Sequence, residues 1–143
     1  MAEARDVMEQ FTEAAVQNKD LEGAAKFFAE DVVVVTPDLG QLTGRERMRD
    51  YMQDFFTAFP DFKYETRRKY EDDDTAIDEG RYIGTNTGPL SGPSGSIPAT
   101  GKVVDMRACE VATVKDGLIT HYEFYFDQME MLTQLGLVPD EAG

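Results

Sequence analysis

With 143 residues, 28 acidic against 14 basic side chains and a net charge of −14, the chain is one ordinary domain whose surface repels nucleic-acid phosphates and anionic membranes. A chain of this length can bury roughly two-thirds of its unfolded surface in a single core. The lone Cys109 excludes an internal disulfide, no His/Cys cluster has zinc spacing, and MAEARDVMEQ has no apolar secretory core, so a cytoplasmic protein without nucleic-acid or membrane partners is expected.

In chain order, Val7, Phe11 and Ala14 or Ala15 recur at helical spacing among charges, which predicts an amphipathic helix over residues 2–17. Asp20 is placed to cap a second, short helix with Leu21, Ala24, Ala25 and Phe28 on its buried side, and residues 32–35 follow as a strand. TPDLG at 36–40 is a turn. Thr43 and Glu46 have capping-box spacing and open a third helix to about Phe59, with Met48, Met52, Phe55, Phe56 and Phe59 on or beside its apolar face.

After Pro60 the pattern changes to four strands, over 62–70, 75–85, 102–114 and 118–126, and then a short helix in which Met129, Leu132 and Leu135 share a face and Gly136 ends it. Helices first and strands last, without βαβ alternation, predict an α+β domain: a mostly antiparallel sheet curling around helices on one face. Residues 84–101, dense in Gly, Pro, Ser and Thr, form a long loop that reads as a flexible lid over a pocket or as a plain hairpin tip.

The segments PDLGQLTGRERMRDYMQDFFTAFPDF, GTNTGPLSGPSGSIPATGKVVDMR and VKDGLITHYEFYFDQMEMLTQLGL, taken in this order over nearly the whole chain, resemble the SnoaL-like polyketide cyclase family of the nuclear transport factor 2-like superfamily. The resemblance implies a cone-shaped α+β barrel with a deep apolar pocket, commonly a homodimer through the outer face of the sheet. It also implies a catalytic aspartate at the end of the last long strand, which Asp127 matches, removing a proton next to a carbonyl of a small apolar ligand in aldol-type chemistry. Such chemistry requires neither metal nor organic cofactor.

Asp127 has a competing role, because with Glu130 it forms the D-x-x-E pattern of a helix cap. If it points inward and no bulge intervenes, alternation puts Tyr125, Glu123 and His121 on its face and Tyr122, Phe124 and Phe126 on the other. Glu123 is then either the second member of a catalytic carboxylate pair or a group that faces water or bonds to Arg107 on the neighbouring strand. A two-residue turn at Asp116 and Gly117 pairs Glu110 with Glu123, whereas a three-residue turn pairs Cys109 with Glu123.

Asn86, standing where relatives often have the histidine of a G-T-H-T-G pattern, can orient a carbonyl but cannot exchange a proton. Tyr51, Tyr82 and Tyr125 are further candidate donors, His121 a candidate polar contact, and Phe55 part of the apolar wall with Phe11, Phe28, Phe59 and Met52. Three functions remain open: a cofactor-independent cyclase or isomerase, a non-catalytic ligand-binding or dimerisation module, and an epoxide hydrolase-like enzyme needing a second pocket acid.

Overall fold

The apolar stripe of the first helix, Ala4, Val7, Met8 and Phe11, is buried against the sheet, and the helix α1 spans Glu3–Thr12 in a computed structural model that describes residues 3–92 and 95–138. Residue 2, where the sequence predicts this helix to start, and residues 93–94 of the expected loop lie outside the described residues. The helix continues into one π-helical turn, Glu13–Gln17, rather than ending as a regular α-helix. Asp20 caps the five-residue α2 (Leu21–Ala25) as predicted, its Oδ1 accepting from the Gly23 amide at 2.9 Å.

Two local expectations are corrected. Phe28 does not belong to α2; it begins a strand, β1 (Phe28–Thr36), where it is fully buried. Thr43 is no helix cap, because it ends a short strand, β2 (Gly40–Thr43), that pairs with β1. Gly44 takes the cap position of α3 (Arg45–Ala58) with φ 110°, a conformation that disfavours any residue with a Cβ.

The remaining strands are β3 (Lys63–Asp72), β4 (Thr75–Thr85), β5 (Leu90–Gly92), β6 (Gly95–Ile97), β7 (Val103–Lys115) and β8 (Leu118–Phe126), followed by α4 (Gln128–Gln134). Of the eight described strands, six form one curved sheet in the order β2-β1-β8-β7-β4-β3, antiparallel throughout except for the parallel β1 and β8 pair. This is the expected α+β architecture, with three helices in the N-terminal part, a mostly antiparallel sheet and a short C-terminal helix. The expected loop over 84–101 contains the small β5–β6 hairpin, which rests on α3.

Alternation along the long strands decides which side chains reach the core. On β7, Val104, Met106, Ala108, Ala112 and Val114 are buried on the helix-facing side, and on β4 so are Ala76 and Tyr82. Aromatic edge-to-face packing joins the layers: Phe11 and Phe28 lie 5.1 Å apart between ring centroids, and Phe28 and Tyr122 5.6 Å.

Candidate functional site

Two charged side chains interrupt the apolar inner face of the sheet. Asp78 on β4 and Glu110 on β7 are direct cross-strand partners, 2% and 8% exposed. Two like charges in such surroundings need compensation. Asp78 has it: Arg5 of α1 donates to Asp78 Oδ1 at 2.5 Å, and the same guanidinium donates to the Tyr70 and Ile77 carbonyls at 2.7 and 3.2 Å. Among the described residues Glu110 has no cationic partner. The Tyr122 hydroxyl donates to its Oε1, and burial pushes its carboxyl up to about 7; the Tyr122 bond acts in the opposite direction, and Asp78 adds to the rise.

Glu110 faces a cavity of about 70 Å3 between the helices and the sheet. Phe11, Thr12, Ala15 and Val16 line it from α1 and the π-helical turn, and Met48, Tyr51, Met52, Phe55 and Phe56 from α3. The remaining wall consists of Phe62 together with Tyr64, Tyr82, Glu110, Tyr122 and Phe124 from the sheet. Its tyrosines stay protonated: burial is the first cause that raises the Tyr82 and Tyr122 hydroxyls well above their ordinary value. The cavity is therefore an apolar, mostly aromatic chamber with a single carboxyl that titrates near neutrality, an arrangement suited to moving a proton on a bound small molecule.

A family model for SnoaL-like polyketide cyclases matches residues 6–135. The chain belongs to that family. Among solved structures, a candidate SnoaL-like polyketide cyclase from Jannaschia sp. CCS1 superposes with a TM-score of 0.83 at 16% identity, covering 96% of this chain and 94% of its own. IdmH, a candidate polyketide cyclase from Streptomyces antibioticus, gives 0.76 at 24% identity, covering 93% and 98%. An LEH-like epoxide hydrolase of M. tuberculosis gives 0.69 at 22%, covering 93% and 89%. No curated protein matches the sequence. At these identities the likenesses define a fold shared by differently named proteins, and the chemistry of this SnoaL-like chain has to come from its own pocket.

In this SnoaL-like domain several expected site residues lie elsewhere. Asp127 is exposed and caps α4, its Oδ1 accepting from the Glu130 amide at 3.1 Å. Glu123, His121 and Tyr125 lie on the outer face of the sheet, with Glu123 bonded to His121 Nε2 at 2.9 Å and to the Tyr125 hydroxyl. The Tyr125 bond first, and then that from His121, hold the Glu123 carboxyl below its ordinary value.

The inward residues are Tyr122, Phe124 and Phe126, the reverse of the expected face. The cause is a bulge. Lys115 pairs with Leu118 and Val114 with Ile119, as a two-residue turn requires, but Thr113 then pairs with His121, leaving Thr120 unpaired. Ile119 and Tyr122 consequently both point inward, and neither predicted register holds: Val111 faces Glu123, and Glu110 faces Phe124.

Asn86 is also misplaced by the sequence reading. Fully buried, it donates to the carbonyls of Ala58 and Gly88 at 3.1 and 2.9 Å, and its Oδ1 accepts from the Thr100 amide and hydroxyl at 2.8 and 2.9 Å. Every bonding position of the amide is engaged in tying Gly88 and Thr100 of the loop to the end of α3, so it does not orient a carbonyl of a ligand. None of the described residues of 84–101 lines the cavity.

Tyr51, Tyr82 and Phe55 line it. Glu110 and Tyr122 were missed as a pair. The signal was present on β7, where Val104, Met106, Ala108, Glu110, Ala112 and Val114 place one charge in an otherwise apolar period-two face.

Proposed function

We propose that the protein is a cofactor-independent enzyme that transfers a proton next to a carbonyl of a small apolar ligand, with Glu110 as the acid and base. The observation that carries this reading is a carboxyl buried in an aromatic chamber, without a cation, at about 7. Near neutrality such a group is present in both forms, which general acid and base catalysis favours. As carboxylate, Glu110 takes the proton from the carbon; the C–H electron pair forms the enolate double bond, and the carbonyl oxygen takes the charge. The enolate carbon then either attacks a second carbonyl, whose alkoxide receives the proton from Glu110, or is reprotonated at another position as an isomer. Tyr122 donates to Glu110 and holds the carboxyl in place.

Family membership and the fold shared with candidate cyclases support this reading at a general level. Glu110→Gln tests it, since the amide still accepts from Tyr122 but cannot take a proton. A loss of turnover of about a hundredfold or more on a small enolisable ketone is expected, and undiminished turnover removes Glu110 from the chemistry.

One observation favours the second reading, a non-catalytic binding module. At about 70 Å3 the cavity has room for a few water molecules, so a larger ligand enters only if α3 and the π-helical turn part. A protein that binds ketones without turning over any of them would establish that reading.

The outer face of the sheet, with Val33, Val35 and Val111 half-buried and Val103 and Tyr125 58% and 53% exposed, is proposed as the contact through which two copies pair. A single-chain mass by native mass spectrometry at micromolar concentration removes the homodimer.

A further inference from the structure

Asp78 takes no part in the chemistry proposed for Glu110, yet it stands directly opposite that residue in the ladder of β4 and β7, on the same buried face. Opposed residues in such a ladder have Cβ atoms about 4.5–5.5 Å apart. Arg5 closes the ion pair with Asp78, their side chains 15% and 3% exposed. β4 lies between β3 and β7, and besides Asp78 the guanidinium bonds the carbonyls of Ile77 on β4 and Tyr70 on β3. The cation therefore sits over the β3 and β4 seam, on the side of Asp78 away from β7. The pair presents its negative end to Glu110.

Packing does not require this arrangement. The neighbouring inward positions of β4 are Ala76, Gly80 and Tyr82, and apolar residues would fill the place of the pair as well. Replacing a buried ion pair by apolar groups of similar volume is often neutral or stabilising. What apolar groups do not supply is a charge beside Glu110.

The other titratable groups around Glu110 carry no charge near neutrality. Tyr51 of α3, Tyr64 of β3, Tyr82 of β4 and Tyr122 of β8 line the same chamber, and burial is the first cause that raises each hydroxyl above its ordinary value. Burial likewise raises the thiol of Cys109, the residue before Glu110 on β7. Among the described residues, no charged group of α1 or the π-helical turn lines the chamber.

We propose that Arg5 and Asp78 are positioning residues for Glu110: their ion pair, with its carboxylate end towards β7, sets the pH at which Glu110 exchanges its proton. Arg5 acts through Asp78, keeping it as a carboxylate so that Glu110 alone titrates. This rests on the reading of Glu110 as the acid and base, and neither Arg5 nor Asp78 touches a ligand in this scheme.

Carbon NMR of protein isotopically labelled at the glutamate side-chain carboxyls tests it without any ligand, the Glu110 resonance being the one that Glu110→Gln removes. In the wild type this resonance is expected to titrate at about pH 7. Asp78→Asn keeps the shape and still accepts from Arg5, and is expected to lower the midpoint by about one pH unit or more. The double variant Arg5→Met/Asp78→Asn leaves no charge unpartnered and is expected to shift in the same direction by a smaller amount. Arg5→Met alone is expected to broaden the curve beyond a single-site titration, because two opposed carboxyls without a cation titrate as a coupled pair.

A pair that only pins α1 to the sheet gives lowered melting temperatures and an unmoved Glu110 midpoint. That pattern overturns the inference, as does an upward shift in Asp78→Asn or a single-site curve in Arg5→Met. Undiminished turnover in Glu110→Gln removes the acid and base reading alone, since the displaced midpoints still establish that the pair governs the Glu110 proton.

Discussion

Glu110 in the middle of β7 and Asp127 just past β8 are both carboxylates, and their surroundings give them opposite roles. Asp127 remains in water and satisfies the Glu130 amide, so replacing it by Ala should cost about 1 kcal/mol through the lost cap. Turnover should be unaffected, and a calorimetric melt read alongside an activity assay checks both halves of that statement. Glu110 is linked to stability through its proton. Its folded value of about 7 lies above the ordinary 4.5, so between these pH values the folded protein holds a proton that the unfolded chain has released. The corresponding stability is complete below about pH 4.5, and about 3 kcal/mol of it is lost as pH rises through about 7. Glu110→Gln should therefore gain on the wild type in urea unfolding between about pH 5 and 8. Parallel profiles for the two proteins would show that Glu110 is not desolvated in solution.

At the scale of the element, β8 is governed by one unpaired residue. Facing Tyr122, Phe124 and Phe126 inward buries three large rings, each worth roughly 1.5–3 kcal/mol, whereas the opposite phase would bury Glu123 and Asp127 and expose the rings. The turn register nevertheless starts the strand with Ile119 inward, which on strict alternation would expose those rings, and the bulge at Thr120 reconciles the two demands. Deleting Thr120 leaves Ile119, His121 and Tyr122 in regular in-out-in order, so this variant should still unfold cooperatively with melting lowered by no more than roughly 10 °C. Inserting one alanine between Glu123 and Phe124 reverses the end of the strand and should abolish cooperative melting. Loss of cooperativity in the deletion as well would mean that the bulge itself shapes the pocket floor rather than only correcting its phase.

For the molecule as a whole, the balance of 28 acidic against 14 basic residues leaves self-repulsion that surface pairs such as Lys69 with Glu9, 2.7 Å apart, offset only locally. Salt screens both, but the net term is repulsive. Melting temperature should therefore rise as NaCl goes from about 10 to about 300 mM, over which the Debye length shrinks from roughly 30 to 6 Å. A fall would show that ion pairs, including the buried Arg5 with Asp78, dominate the electrostatics. No helix among the described residues is long and apolar enough to cross a membrane.

Much of this architecture could be read from local pattern. Helical spacing in α1 and α3, the Asp20 cap, the order of the four long strands and the turn at Gly117 are set by residues close in sequence, and these features together with the family motifs led to the right fold. Two features were written less openly. The parallel contact of β1 with β8 joins segments some ninety residues apart and leaves no local trace, and Thr43 matched a capping box only because β2 was not anticipated. The site was legible in part, through Tyr51, Tyr82 and Phe55, while Glu110 was visible as one charge on an apolar face but not as the pocket carboxyl.

What composition and spacing determined by themselves is the set of elements and the presence of carboxylates on and just past the last hairpin. Which carboxylate meets the chamber, and whether Asn86 reaches a ligand or clasps a loop, only the tertiary structure decided. A strand alternates with period two, so a single unpaired residue reverses every side chain beyond it, and the cost of that reversal lies in packing against helices distant in the chain.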